Sequence, residues 1–147
     1  MLDEKDQRIL AELLEDGRKS VVEISNELQI PRATVQERLK GLVESGVIRK
    51  FAAIPDYSKI GKQVTALILV SFRSAERVSQ RSLAEDISKI PGVHEVIVIS
   101  GEWDIVLKVR AASVEEIGRL VLDKLRMMKG IEKTQTCVVF QTIKEGF

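Results

Sequence analysis

The sequence contains only one cysteine and one histidine, Cys137 and His94, in 147 residues. A disulfide within the chain needs two cysteines, so a disulfide-stabilised fold is excluded, and a zinc site built from these two residue types lacks ligands. The sequence also has no phosphate-binding glycine loop, no dinucleotide fingerprint, no serine nucleophile elbow and no carboxylate cluster with metal-ligand spacing. We therefore expect no cofactor, no metal and no enzyme activity.

Long apolar runs are missing as well. No stretch reaches the ~18 apolar residues that a membrane-spanning helix needs, and the first residues, Met1 to Lys5, do not have the pattern of a signal peptide. Hydrophobic residues nevertheless make up 44% of the chain, which is enough to build a packed core and excludes a disordered protein. We expect a cytoplasmic protein without a membrane partner.

A strong excess of charge of either sign is absent, because the net charge is +1. The charge is uneven along the chain, however. Residues 1–16 are acidic, whereas residues 32–50 hold five basic and two acidic side chains. A local basic stretch in an otherwise neutral region is a modest indication of nucleic-acid binding.

The first part of the chain, residues 1–54, predicts three short helices and a small β-wing. Asp3 is placed to cap the first helix, in which Ile9, Leu10, Leu13 and Leu14 share one face. Ser20 and Glu23 have the spacing of a capping box that begins the second helix. Pro31 stands at the head of the third, where Val35, Leu39 and Leu42 point inward, and Gly46 suits the turn that ends it. Two short helices joined by a very short turn have helix-turn-helix proportions, and Val47 to Ile54 alternates loosely as a wing strand.

The second part, residues 63–147, follows a linker predicted at 55–62 and contains a weak internal repeat. Each repeat reads as strand, helix, strand, with the middle strands joined by a tight turn at residues 100–102. Two such units in series predict a ferredoxin-like βαββαβ domain. The fold class is therefore α+β, with an N-terminal winged helix-turn-helix and a C-terminal ferredoxin-like domain.

This order of elements resembles the leucine-responsive/asparagine regulator (Lrp/AsnC) family of transcription factors over essentially the whole chain. The resemblance is carried by the joint order of six short segments: Leu2–Asp6, Ile9–Leu10, Asp16–Arg18, Val35–Leu39, Glu44–Ile48 and Gly101–Asp104. One departure is that Pro31 occupies the position where the family usually has a serine cap, so a side-chain cap and any phosphate contact from it are absent.

The third helix is predicted to be the recognition helix, with its N-terminal residues directed toward base edges in the major groove. Arginine suits guanine and glutamine suits adenine, while threonine offers a methyl group or a hydroxyl. Arg38 has two open roles, a phosphate contact or a tie to the acidic first helix. Arg49 and Lys50 on the wing suit phosphates. The complete set of DNA-binding candidates is Arg32, Ala33, Thr34, Gln36, Glu37, Arg38, Lys40, Arg49 and Lys50.

The resemblance implies that the second domain binds a small effector, typically an amino acid, in a pocket between dimers around the 100–104 hairpin. An α-ammonium needs a carboxylate, which Asp104 can supply, and an α-carboxylate needs donors such as free N–H groups near Gly101. Thr134 and Thr136 on the last strand are candidate polar walls from a neighbouring subunit. The effector-binding candidates are Ser100, Gly101, Glu102, Trp103, Asp104, Thr134 and Thr136.

The predicted function is that of a sequence-specific, double-stranded-DNA-binding transcriptional regulator whose DNA affinity or assembly responds to an amino acid or related effector. The apolar run Val64–Val70 predicts association of subunits, and a dimer with two recognition helices implies a pseudo-palindromic operator. The resemblance implies homodimers that assemble into tetramers or octamers. Two alternatives remain open: an architectural DNA-compacting protein, and an amino-acid sensor that acts without DNA.

Overall fold

A computed structural model describes residues 2–74 and 77–145, and the chain forms two compact units, Met1–Ile54 and Pro55–Phe147. None of the helices in the described ranges is both long and apolar enough to span a lipid bilayer.

The first unit consists of three helices: α1 (Glu4–Glu15), α2 (Val21–Leu28) and α3 (Arg32–Glu44). Both predicted N-terminal caps are confirmed. The Asp3 carboxylate accepts the N–H of Asp6 at 2.9 Å, and the Asp6 carboxylate accepts the N–H of Asp3 at 3.2 Å. Ser20 and Glu23 exchange the equivalent bonds at 2.7 and 3.2 Å. These caps satisfy backbone donors that the first helical turn leaves without partners.

The turn between α2 and α3 is tight because Gln29 adopts a left-handed backbone conformation, with φ of 55°. The Ser25 hydroxyl donates to the carbonyl of Ile30 at 2.6 Å, and Ile30 itself is buried. Helix α3 then begins directly after Pro31 without a side-chain cap, as expected for a proline at this position. The result is a helix-turn-helix.

A single apolar core holds these three helices together. Its buried members are Ile9, Leu13, Ile24, Ile30, Val35 and Leu42. Leu14, which we expected on the inward face of α1, is 71% exposed, because its position lies one residue past the stripe that Ile9 and Leu13 form.

The predicted wing strand is wrong in its secondary structure. Residues 47–54 form no strand. The start of this segment is attached to the end of α3 by a hydrogen bond, in which the Ile48 N–H donates to the Leu42 carbonyl at 2.9 Å. A strand needs a neighbour to accept its backbone hydrogen bonds, and the helical remainder of this unit offers none. The segment nevertheless leaves Arg49 and Lys50 exposed.

The second unit is a four-stranded antiparallel sheet with helices on one face. Its elements are β1 (Val64–Phe72), α4 (Gln80–Ser88), β2 (Val93–Val98), β3 (Ile105–Ala111), α5 (Val114–Arg119) and β4 (Ile131–Val138). The strand order is β2-β3-β1-β4, and neighbouring strands are antiparallel. This arrangement confirms the predicted ferredoxin-like βαββαβ fold.

The last helix is interrupted. Helix α5 passes into a π-helical turn at Leu120–Lys124 and a 3₁₀ turn at Leu125–Met127. Its start is capped by Ser113, whose hydroxyl accepts the N–H of Glu116 at 3.2 Å, while the Glu116 carboxylate accepts the N–H of Ala112 at 2.7 Å.

The two faces of the sheet have different environments. On the helix side lie Ala66, Ile68 and Val70 of β1 with their β3 partners Val109, Leu107 and Ile105, all completely buried. We call the opposite side the open face. It carries the alternate residues of the strands: Thr65, Leu67, Leu69, Glu95, Ile97, Val106, Lys108, Arg110, Gln135 and Cys137.

The predicted linker at 55–62 is a folded part of the second unit. Asp56 caps a single 3₁₀ turn, Tyr57–Ile60, by accepting the N–H of Ser58 at 3.0 Å. The Tyr57 ring contacts the Arg110 guanidinium, 3.6 Å from the ring centroid, and meets the His94 ring edge-on at 5.2 Å. This turn is therefore anchored to the end of the sheet.

Candidate functional site

Helix α3 presents one continuous exposed face. Its core side is held by Val35 and Leu42, which are buried, and by Leu39, which is half-buried. Thr34 is half-buried beside the exposed face. The exposed residues among the predicted DNA-binding candidates of α3 are Arg32, Ala33, Gln36, Glu37 and Lys40.

Arg38 takes the second of its two predicted roles. Its Nη1 lies 2.5 Å from Asp3 Oδ2 and 3.2 Å from Asp6 Oδ1, so it ties α3 to the start of α1. The pKa of Asp3 lies below its ordinary value because its carboxylate accepts the Asp6 N–H and also meets the Arg38 guanidinium. The guanidinium is thus committed to orienting α3 against α1.

Three basic side chains of this unit, Arg32, Arg49 and Lys50, are available to a polyanion. Within the described part of the chain, no carboxylate lies within 4.0 Å of the charged nitrogens of Arg32, Arg49 or Lys50. Lys40 makes only an exposed pair with Glu44 at 3.6 Å, and such pairs contribute little to stability. This surface can therefore contact phosphates without first breaking a strong ion pair.

A cavity of about 280 Å³ lies in the second unit between β4 and the last helix. Thr134 and Thr136 line it because they pair with Val70 and Ile68 of β1 and so face the helix side. Their surroundings are mainly apolar, and Arg126 is the one charged residue among the described residues of the lining. The full lining is Val114, Ile117, Gly118, Val121, Leu122, Arg126, Thr134, Thr136 and Val138.

Arg126 and the helical residues of this cavity were not among the sequence-based candidates. Leu122 and Arg126 are four residues apart on a helical segment, and both are exposed in the structure. The buried residues of this segment are Leu120, Val121 and Leu125, so a leucine outside that apolar spacing with a cation four residues later was the available sequence signal. A π-helical turn of the kind that contains Leu122 often occurs at a functional site.

The 100–104 hairpin lies elsewhere on the protomer and does not line that cavity. Ser100, Gly101 and Glu102 are exposed, and Gly101 has φ of 127°, a conformation that residues with a Cβ rarely adopt. Trp103 is half-buried, with Lys133 Nζ 5.4 Å from its ring centroid. The hairpin thus leaves polar groups free at one end of the sheet.

Asp104 fastens the hairpin to the neighbouring elements. Its carboxylate Oδ2 accepts the N–H of Phe72 at 2.7 Å. Its backbone N–H donates to the Val70 carbonyl at 3.0 Å, and its carbonyl accepts from the Gln80 side chain at 3.2 Å. Among the described residues, no donor reaches its second carboxylate oxygen, Oδ1, which leaves one acceptor for another partner.

The lone histidine stands at an exposed position and contacts one aromatic ring. His94 lies beside Tyr57, and its pKa is lowered because partial burial and the nearby Arg110 charge disfavour the imidazolium. Within residues 2–74 and 77–145, no three histidine, cysteine, aspartate or glutamate side chains cluster in a way that could hold a metal ion.

Comparison with known proteins agrees with both units. Residues 2–49 match the winged helix-turn-helix DNA-binding family, and residues 65–147 match the Lrp/AsnC ligand binding domain. A protein of Pyrococcus abyssi named an uncharacterized HTH-type transcriptional regulator is 48% identical over 145 residues, covering 99% of this chain and 97% of that protein. The transcriptional regulator AzlB of Bacillus subtilis is 36% identical, covering 98% of this chain and 92% of its own length.

The fold also matches a crystal structure of a Neisseria meningitidis transcriptional regulator in complex with L-methionine. The TM-score is 0.93 at 30% identity, with 99% of this chain and 94% of that chain covered. A helix-turn-helix unit followed by a ligand-binding ferredoxin-like unit defines the protein as a DNA-binding transcriptional regulator with a ligand-binding domain. The chain belongs to the Lrp/AsnC family.

The contacts of Asp104 generate a first prediction. Asp104→Ala removes the acceptor of the Phe72 N–H, and leaving a partly buried donor unpaired costs about 1–3 kcal/mol. Asp104→Asn keeps an acceptor oxygen, so we expect a much smaller loss of stability. Denaturant unfolding followed by the fluorescence of Trp103, the single tryptophan, measures both. An Asp104→Ala protein as stable as wild type would contradict the structural role of this bond.

Proposed function

We propose that this regulator recognises a specific DNA sequence through α3 and responds to an amino acid bound by its second unit. The observation that carries the proposal is the exposed α3 face, on which Arg32 and Gln36 stand near the helix start without an intramolecular ion pair or hydrogen bond within the described residues. These two side chains are suited to bidentate contacts with guanine and adenine.

Phosphate contacts have a separate origin in this proposal. Arg49 and Lys50 follow α3 on an exposed segment, where they would position the unit on the duplex without reading its sequence. Arg38 acts indirectly, because its ion pairs with Asp3 and Asp6 hold α3 in place on α1. Ala33, Thr34, Glu37 and Lys40 complete the proposed contact surface.

The cavity between β4 and the last helix suits the apolar side chain and carboxylate of an amino acid. Its aliphatic lining accommodates the side chain, the Thr134 and Thr136 hydroxyls offer hydrogen bonds, and Arg126 offers a cation for the carboxylate. The L-methionine complex of the Neisseria meningitidis regulator supports an amino acid as the class of effector.

The α-ammonium requires an anion, and the described residues that line the cavity include none. We assign it to the hairpin of another copy of this chain, where Asp104 keeps one free carboxylate oxygen and Glu102 is exposed. Ser100, Gly101 and Trp103 shape that hairpin. An effector held in this way would bridge subunits, which links its binding to assembly and DNA affinity.

The open face of the sheet is the proposed dimer contact. Leu67 is 40% and Ile97 49% exposed, although both stand on strands with hydrogen-bonded neighbours. An exposed apolar sheet face of this kind favours a second copy that covers it. A homodimer presents two recognition helices to a pseudo-palindromic operator. In this proposal the protein acts through binding and carries out no reaction.

The recognition helix generates the second prediction. Arg32→Ala and Gln36→Ala should each reduce discrimination at particular operator positions, because a bidentate pair with a base contributes about 1–3 kcal/mol of discrimination. Lys50→Ala should weaken binding to all sequences alike and lower the slope of log affinity against log salt by about 1. Titrations against a panel of operator variants at several salt concentrations measure both effects, with Arg81→Ala, exposed on α4, as the control.

Two results of these titrations would contradict the assignment. Helix variants that keep wild-type discrimination across the panel would show that α3 does not read the bases. Wild-type binding that is displaced equally by competitor DNA of any sequence would identify an architectural DNA-compacting protein, and no binding to DNA at all would identify an amino-acid sensor.

The cavity generates the third prediction. The twenty amino acids are first screened by thermal shift, since a ligand at 100 times its Kd stabilises by about 2.7 kcal/mol. Arg126→Gln should weaken binding of the selected amino acid by about ten-fold to one hundred-fold, because a charge-assisted bond contributes about 1.5–3 kcal/mol. Calorimetry measures this, with Arg119→Gln, an exposed arginine outside the cavity lining, as the matched control. Equal affinities in the two variants would exclude Arg126 from the site.

The open face generates the fourth prediction. Ile97→Glu should convert the dimer to single chains in sedimentation velocity, because a carboxylate buried within an apolar contact costs several kcal/mol. The protomer tolerates the change, since Ile97 is 49% exposed in the isolated chain and its partner on β3 is the uncharged Val106. Met127→Glu, at a 76% exposed position on the last helical turn, should sediment as wild type. An Ile97→Glu protein that remains dimeric would place the contact elsewhere.

A further inference from the structure

The segment after β4, residues 139–145, which we call the arm, ends in an ion-pair cluster on the sheet. The carboxylate of Glu145 lies 2.6 Å from Arg110 Nη2, and Lys108 Nζ contacts the same oxygen. Lys108 and Arg110 are two residues apart on β3, so both side chains stand on the open face. Two cations therefore converge on one carboxylate.

The two cations are largely removed from water. The side chain of Arg110 is 11% exposed and that of Lys108 is 19% exposed. Tyr57 packs over the Arg110 guanidinium, and the buried Nε of Arg110 has no hydrogen-bond partner within the described part of the chain. Two adjacent cations in such surroundings are costly unless an anion compensates them. Glu95, 3.8 Å from Lys108 and about half exposed, compensates only part of this charge.

The cations and the anion differ in how firmly they are held. Strand β3 lies between β1 and β2 and is hydrogen-bonded to both, so the cationic groups are in place whatever the arm does. The arm has no regular secondary structure, and its apolar side chains Phe140 and Ile143 are 102% and 85% exposed. Apart from the ion pairs of Glu145, the described arm is attached by one backbone hydrogen bond, in which the Val139 N–H donates to the Thr65 carbonyl at 2.9 Å.

We propose that Lys108 and Arg110 form a carboxylate-binding site on the open face, which Glu145 occupies as an intramolecular ligand. Glu145 thereby latches the arm to the sheet. At the proposed dimer contact, this ligand would neutralise the two cations that a second copy covers, and where Glu145 is missing, a small free carboxylate can take its place. Because Arg110 also contacts Tyr57, the same guanidinium joins the arm to the turn that begins the second unit. The pKa of Glu145 lies below its ordinary value, chiefly because Lys108 donates to it, so the ligand is ionised at neutral pH.

The test compares the full chain with its Glu145→Gln variant in sodium chloride and in sodium acetate of equal ionic strength. Trp103 fluorescence reports the unfolding of the second unit. In chloride, the variant should melt about 4 °C or more below wild type, because the two cations lose their anion. Acetate should restore most of that stability in the variant and leave wild type nearly unchanged, since its site is already filled.

Glu132→Gln is the matched control, because Glu132 also pairs with an arginine, Arg73 at 2.9 Å, but on an exposed surface. It should melt as wild type in both salts. In a Lys108→Gln background, the further change Glu145→Gln should lower the melting temperature clearly less than it does alone, because one of the two cations is already gone.

Three outcomes would overturn the proposal. In the first, Glu145→Gln melts as wild type in chloride, which would mean that the cations need no carboxylate. In the second, acetate raises the midpoints of wild type, Glu132→Gln and Glu145→Gln equally, which would indicate a general salt effect. In the third, the destabilisation caused by Glu145→Gln is as large in the Lys108→Gln background as alone, which would mean that Glu145 acts through other contacts.

Discussion

The antiparallel pairing of β1 with both β3 and β4 is the constraint on which the second unit depends. This register places Ala66, Ile68 and Val70 opposite Val109, Leu107 and Ile105, and together they form the buried layer under the helices. Side chains alternate between the two faces of a strand, so a shift of one residue would exchange every buried residue for an exposed one. The cost of exposing this apolar layer keeps the register unique.

The same register places two sets of polar side chains on opposite sides of the sheet. Thr134 and Thr136 are partners of Val70 and Ile68, which places their hydroxyls on the helix side, in the cavity with Arg126. Lys108 and Arg110 occupy the alternate positions of β3 and so face the open side, where Glu145 and Tyr57 meet them. The proposed effector cavity and the carboxylate-filled cluster therefore lie in one small domain without sharing a residue.

The first unit uses charge and apolar packing for different purposes. Ile9, Ile24 and Val35 are completely buried and hold the helices together, while Arg38 fixes α3 to the start of α1 through Asp3 and Asp6. Because this arginine is engaged, we propose that DNA is read by residues whose side chains make no such ion pairs, Arg32 and Gln36 above all. In this proposal, orientation and recognition fall to different residues of one helix.

The sequence by itself determined most of the elements and their order along the chain, because these depend on local signals, and this order together with short motifs indicated the family. The caps at Asp3 and Ser20 and the apolar run of β1 are each contained in a few adjacent residues. The βαββαβ order of the second unit, which the resemblance also indicates, implies its strand order. Only the tertiary structure decided how distant residues meet. It left the wing segment without strands because no neighbour accepts its hydrogen bonds, and it bound Asp104 to Phe72 across 32 positions. It also paired Arg38 with Asp3 and Asp6 and brought Arg126 beside Thr134 and Thr136. Such contacts arise from packing between elements far apart in the chain, for which a single sequence carries no local pattern.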